Sequence, residues 1–138
     1  MSPLYAHISM WIPRDFIWGE TDCLMVLADW VKFVRGVDPA ERYRGTYDSP
    51  LTAEKVSGFM MHPLRVTTEC FEEVAGLEPT ENPVAGDVAV LSLPVNDKFR
   101  CCGAICLGEH GWAVKAPRGA TTIKSAVFTK AWSVGYVA

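Results

Sequence analysis

The most reactive arrangement in the sequence surrounds a cysteine at the start of an apolar segment. Residues 18–22 (Trp-Gly-Glu-Thr-Asp) lead into Cys23, and apolar residues then recur at helical spacing. The first turn of a helix carries unpaired backbone N–H groups and the positive end of the helix dipole, so it favours a thiolate over a thiol. We therefore expect a lowered pKa for Cys23, and faster alkylation than at Cys70 or Cys106. Alternatively, Cys23 is a small buried residue without chemistry.

A cysteine nucleophile also needs a group that accepts and returns a proton, usually a histidine. The sequence offers His7, His62 and His110. His7 precedes the cysteine turn, His62 lies before a proline in a loop, and His110 lies at the tip of a hairpin. His110 is the first choice as base, although the tip of a short hairpin points away from the start of its strands. The alternative for each ring is solvent exposure or a local hydrogen bond.

The other cysteines favour free thiols over disulfides or zinc. The chain has five cysteines, an odd number, and none forms the CxxC pair typical of zinc sites. Cys101 and Cys102 could join Cys23 in a metal site or redox pair, but adjacent strand residues point to opposite faces, so only one can face Cys23. We predict no metal and no cofactor. Cys70 and Cys106 fit a core, and Cys101 fits an exposed strand position.

The helix that would carry Cys23 is the clearest element of the sequence. Thr21 and Asp22 are typical N-cap residues, apolar positions recur at helical spacing between residues 24 and 34, and Gly36 is a typical C-cap. A second short helix is predicted over residues 51–59 and a third over residues 67–75. These helices would place Cys23 at one end of the largest apolar helix.

From residue 87 onwards the pattern changes to short strands. The predicted strands cover residues 87–93, 103–108, 112–116, 123–128 and 132–137. Glycines on both sides of a polar pair, at residues 108 and 111, indicate a hairpin turn. Residues 78–83 form a linker between the two halves, each of which is small for independent folding. We predict a single α+β domain over residues 1–138, with N-terminal helices packed on a C-terminal antiparallel sheet.

Composition and charge exclude several classes of protein. The 138 residues are 49% hydrophobic and 21% charged, as in a globular domain. The net charge is -3, with -2 in residues 1–69 and -1 in residues 70–138, so neither half has the basic excess of a nucleic-acid-binding protein. Residues 1–13 carry no charge, but they are too few to span a membrane and lack the basic start of a signal peptide. We expect synthesis in a reducing cytoplasm.

The order of several short motifs resembles the NlpC-type cell-wall cysteine peptidases, a papain-like group. The motifs are Trp-Gly-x-x-Asp-Cys at 18–23, Pro-x-x-Gly-Asp at 83–87 and Gly-x-Ile-x-Leu-Gly at 103–108. The chain is more similar still to small phage-encoded relatives found among tail genes, which share Arg-Gly-x-Tyr at 44–47 and Ala-Trp-Ser-Val at 131–134. The resemblance spans residues 16–134.

The resemblance implies a papain-like α+β fold in which Cys23 attacks an amide of the peptidoglycan stem peptide through an acyl-enzyme. In that family a histidine on the strand after the Gly-Asp strand is the base, and a polar residue on the next strand orients it. Here Cys102 occupies the base position and Lys115 the orienting position. A thiol hardly replaces an imidazole as proton donor near pH 7. Lys115 could stabilise a thiolate, or be an ordinary solvated strand lysine.

Tryptophans beside the cysteine turn are candidates for binding substrate. Trp11 and Trp18 flank the turn and could line a groove, with Trp18 the better candidate. Trp30, Trp112 and Trp132 lie at positions that favour packing in the core.

Three hypotheses follow. The first is a bacteriophage tail-tip or tail-assembly protein of the virion, made in the host cytoplasm, whose partners are other tail-tip proteins and whose peptidase site is degenerate. The second is an active cysteine hydrolase that cuts peptidoglycan stem peptides during phage entry. The third is an unrelated cytoplasmic binding domain. The first two hypotheses depend on the resemblance. None of the three includes a nucleic-acid partner or a membrane-spanning segment.

Overall fold

The computed structural model describes residues 2–96 and 98–137. The helices are α1 (Pro3–Ser9), α2 (Cys23–Arg35), α3 (Pro50–Ser57) and α4 (Pro63–Thr68), and α4 continues as a π-helical turn over Glu69–Val74. The strands are β1 (Glu78–Pro79), β2 (Val88–Val95), β3 (Lys98–Cys106), β4 (Trp112–Lys115), β5 (Ala120–Ile123) and β6 (Val127–Ser133). The α+β class is therefore confirmed. None of the helices in the described ranges is long and apolar enough to cross a membrane.

The prediction for α2 is confirmed at both ends. Asp22 is the N-cap, and Gly36 ends the helix with a positive φ of 81°. Helix α1 was not predicted. It forms because the Ser2 side chain caps it and Pro3 starts its first turn, and because Leu4 and Ile8 lie on the same face and are buried.

The two shorter predicted helices form with different bounds. Helix α3 ends at Ser57 instead of residue 59, because Gly58 adopts a left-handed conformation. The third helix begins at Pro63 instead of residue 67, because a proline is well suited to the first helical position. Its second half is π-helical, over Glu69–Val74.

The six strands form one antiparallel sheet in the order β1-β6-β2-β3-β4-β5. Strands β2 and β3 pair along their whole length, whereas β4 pairs with β3 only at Ile105 and Cys106. The two predicted C-terminal strands are wrong. A bend at Lys124 and Ser125 divides the first, and β6 begins at Val127 and ends at Ser133. The predicted linker contains β1, which pairs with β6.

The sheet separates two apolar clusters. The larger cluster lies between one face of the sheet and the helices, and α2 contributes seven buried residues to it, Leu24, Met25, Val26, Leu27, Ala28, Trp30 and Val31. The smaller cluster lies on the other face and includes Leu91, Ala104 and Trp112. Cys70 and Cys106 are buried and Cys101 is exposed, as predicted. The larger cluster fixes α2 across the sheet and so holds Cys23 close to β3.

Candidate active site

The start of α2 is held by the Asp22 carboxylate. Its Oδ1 accepts hydrogen bonds from the N–H groups of Leu24 and Met25, both at 3.0 Å. Its Oδ2 accepts from the Gly19 N–H at 2.8 Å and from the Tyr47 hydroxyl at 2.7 Å. Burial and the adjacent Asp22 charge raise the pKa of Tyr47 above its ordinary range, so Tyr47 remains a donor. With four donors bound, Asp22 supports the helix start and does not orient a base.

The Gly19 and Tyr47 segments fit together closely. The Gly45 N–H donates to the Gly19 carbonyl at 3.0 Å. Gly19 has a φ of +84°, and a Cβ there would lie 2.2 Å from the Tyr47 carbonyl oxygen, so only glycine fits. Arg44 anchors the same segment through Asp29 and Asp38, each at 2.9 Å. The Trp-Gly-x-x-Asp-Cys and Arg-Gly-x-Tyr motifs are therefore two sides of one structural clasp.

A second clasp joins the Gly-Asp motif to the end of the chain. The Asp87 carboxylate accepts from the N–H groups of Val84 at 2.9 Å and Val134 at 3.0 Å. The Trp30 indole donates to the Gly86 carbonyl at 2.8 Å, which ties α2 to the same point. Motifs that are far apart in the sequence thus meet in the structure.

Cys23 is the first residue of α2 and lies over β3 at Gly103. A Cβ on Gly103 would be 3.0 Å from the Cys23 carbonyl oxygen and 2.8 Å from Leu27, so the glycine permits this close approach. Beside Cys23 is a pocket of about 20 Å³, enough for one water molecule. Its walls are Cys23, Leu24, Leu27, Phe59, Pro63, Thr67, Val90, Cys101, Cys102 and Gly103.

The expectation of a lowered pKa at Cys23 is wrong. Burial raises the pKa of its thiol to about 12, and the charges of Cys102 and Asp22 add to the rise. Hydrogen bonds from the backbone of Gly103 and Leu24 oppose the shift but do not reverse it. The helix terminus fails to favour the thiolate because burial outweighs these hydrogen bonds, and Asp22 adds a negative charge beside the thiol.

Cys102, at the predicted base position, is the second thiol of this site. It is partly buried, and its Sγ donates to the Gly103 carbonyl at 3.5 Å. Burial and the neighbouring Cys101 raise the pKa of Cys102 to about 11. Cys101 and Cys102 both border the pocket beside Cys23. The structure thus places Asp22 beside Cys23, whereas Cys102 borders their pocket with its side chain packed against the smaller cluster on the other face of the sheet. Both thiols are protonated near neutral pH.

Lys115 is a buried residue whose ammonium group binds backbone carbonyl oxygens. It is 4% exposed, which overturns the alternative of a solvated strand lysine. Its Nζ donates to the carbonyl oxygens of Arg14 at 2.5 Å, Ala116 at 2.9 Å and Gly119 at 3.0 Å. Burial lowers the pKa of this ammonium group. Because three carbonyls take its three donors, Lys115 closes the loop after β4 against residue 14 and does not serve Cys23.

The three histidines, all within the described residues, make no hydrogen bond, ion pair or ring contact with Cys23. His7 packs between α1 and α2, with its ring 5.3 Å from that of Trp30, and burial lowers its pKa. His62 is exposed at the start of α4. His110 is exposed, with its Nε2 3.7 Å from a Glu109 carboxylate oxygen. The candidate base His110 is therefore not part of this site.

The tryptophan candidates pack in the fold. Trp11 is 3% exposed and belongs to the larger cluster. Trp18 is partly buried, with its ring 5.2 Å from Phe16 and 6.5 Å from Tyr47. Neither lines the Cys23 pocket, so Trp18 supports the turn before Cys23.

Sequence reasoning missed the other wall of the pocket. Phe59 and Pro63, around the start of α4, border it, and Gly103 forms its base. A glycine inside a predicted strand signals a close backbone approach, which was the available indication for Gly103. Within residues 2–96 and 98–137, no three His, Cys, Asp or Glu side chains are arranged to hold a metal ion.

A family described as a domain of unknown function, DUF6950, matches residues 2–134, which is nearly the whole chain. No curated protein and no solved structure matches the chain.

Proposed function

The chain belongs to the DUF6950 family of unknown function, and we propose that it is a bacteriophage tail-tip or tail-assembly protein with a papain-like, NlpC-like fold and a degenerate peptidase site. Other tail-tip proteins are its partners and the virion is its location. Cys23 keeps the position of a nucleophile but lacks the groups that would activate it.

The state of Cys23 is the observation that carries the loss of catalysis. Burial raises the pKa of its thiol to about 12, so the thiol form predominates near neutral pH. Amide hydrolysis also needs a donor that protonates the leaving amine. Cys102 borders the same pocket but packs against the smaller cluster on the other face of the sheet, and its pKa of about 11 makes it a poor proton donor near pH 7.

The motif contacts support the resemblance from which the tail role comes. Asp22 binds Tyr47 directly, and Asp87 binds the backbone of Val134. Each contact links two of the motifs shared with the phage-encoded relatives. The order of these motifs along the sequence is therefore explained by their contacts in one fold. Such contacts agree with a fold that is retained after the chemistry is lost.

Two measurements test the proposal. Incubation with purified peptidoglycan, followed by mass spectrometry of the released stem peptides, is expected to give the same products for the wild type and for Cys23→Ala. Release that depends on Cys23 would support the alternative of an active cysteine hydrolase. Mass spectrometry of purified virions of the encoding phage is expected to detect the chain, and its absence from them would favour an unrelated binding domain.

A further inference from the structure

Strand β3 has a free edge along its first half. Strand β4 pairs with β3 only at Ile105 and Cys106, so in the described part of the chain no strand lies beside residues 98–102 on that side. The N–H of Cys106 donates to Asp87 on the β2 side. Because antiparallel backbone groups alternate in direction, the N–H and C=O groups of Phe99 and Cys101 point away from β2. These groups are available to a further strand.

A recess with both apolar and polar walls lies beside this edge. Its volume is about 340 Å³, and its walls are Phe59, Met60, Met61, Pro63, Arg100 and Cys101. Met61 is 73% exposed and Met60 is 42% exposed. Flexible thioether side chains adapt to varied apolar partners. A strand added to the edge would direct every second side chain towards this recess.

The edge also carries two cations, and one of them, Arg100, borders the recess. Lys98 and Arg100 are both exposed and lie two residues apart, so they share one face of β3. Side chains of an added strand on the same face would meet these two cations. Carboxylates at those positions would form cross-strand pairs of opposite charge, which stabilise a sheet.

We propose that this edge of β3 binds an extended segment of a partner protein in which apolar and acidic residues alternate, as an additional strand of the sheet. The basic pair disfavours a second copy of the chain as occupant, because antiparallel pairing of two such edges would place Lys98 and Arg100 against their counterparts. The inference goes beyond the proposed function, because it concerns the β3 edge and not Cys23, and it holds for any partner with this chemistry.

The direct test uses a blocked octapeptide of alternating valine and glutamate, titrated into the full chain by calorimetry. Binding is expected to shift the amide NMR signal of Cys101. The double variant Lys98→Glu/Arg100→Glu should bind the peptide about tenfold or more weakly. The matched control is Arg118→Glu/Lys124→Glu, which changes the net charge equally at two exposed cations away from the edge, and it should bind as the wild type does.

A second peptide tests the hydrogen bonds without altering the protein. The same octapeptide, N-methylated at alternate residues along the bonding edge, cannot donate to β3 and is expected to lose binding. Absence of binding by the unmodified peptide would overturn the proposal. Equal weakening by the two double variants, or equal binding of the methylated peptide, would also overturn it, since each would show attraction by charge alone.

Discussion

Replacement of Asp22 by alanine tests whether the Asp-Cys motif serves the fold. Asp22 is 2% exposed and accepts four hydrogen bonds, two from the first turn of α2 and two from Gly19 and Tyr47. Loss of an N-cap costs about 1–2 kcal/mol. The buried Gly19 N–H and Tyr47 hydroxyl would each lose a partner, so the total becomes about 3–5 kcal/mol.

Urea unfolding of the purified variants measures this cost. Ser49→Ala is the matched control, because Ser49 caps α3 at a partly exposed position and binds no distant segment. We expect about 1 kcal/mol for that change. Asp22→Asn should fall between the two, since its carbonyl oxygen can still cap α2. A cost for Asp22→Ala within about 1 kcal/mol of Ser49→Ala would refute the clasp.

Three further predictions concern stability. Lys115→Met should lower the free energy of unfolding by about 2–4 kcal/mol because three carbonyls lose their donor. Lys130→Met, which removes a partly exposed pair with Glu72, should cost less than about 1 kcal/mol. Equal costs in urea unfolding would contradict the binding of Lys115 by three buried carbonyls. A methyl group added at Gly36 would meet no neighbouring atom, so Gly36→Ala should lower the free energy of unfolding by about 1–2 kcal/mol only because of the positive φ. Gly19→Ala should cost at least about 2 kcal/mol more, because its methyl group meets the Tyr47 carbonyl, and similar melting temperatures would disprove this. Finally, unfolded Cys23 ionises near its ordinary pKa of 9.0, whereas folded Cys23 ionises only near 12. Its contribution to stability is therefore full below pH 9 and is lost as the pH rises towards 12. The free energy of unfolding of Cys23→Ala should fall less steeply with alkaline pH than that of the wild type, and an unchanged slope would argue against the raised pKa.

The sequence was sufficient where neighbouring residues decide the structure. Helix α2 could be predicted because Asp22 and Gly36 mark its ends and the apolar spacing between them is regular. The division between β5 and β6 could not, because residues 123–128 begin and end with residues typical of strands and nothing local shows the bend at Lys124 and Ser125. Pairing of β1 with β6 was also missed, because it depends on residues far apart in the chain.

The candidate site shows the same limit. The position of Cys23 at a helix start follows from local sequence. The motif order predicts Cys102 at the base position, whereas its side chain packs on the other face of the sheet. The pKa of Cys23 depends on burial by β3 and on Cys102, about eighty residues away, so the helix terminus alone gave the wrong direction. Lys115 was misjudged because its partner Arg14 is 101 residues distant.

The pH dependence of alkylation at Cys23 tests most directly the claim that this site does not prepare a nucleophile. Iodoacetamide labelling of each cysteine, followed by peptide mass spectrometry between pH 6 and pH 10, gives the rates. We predict that the exposed Cys101 reacts faster than Cys23 at neutral pH, and that the Cys23 rate rises throughout this range without a plateau, because its pKa is about 12. A Cys23 rate that exceeds that of Cys101 and reaches a plateau below pH 8 would contradict the account.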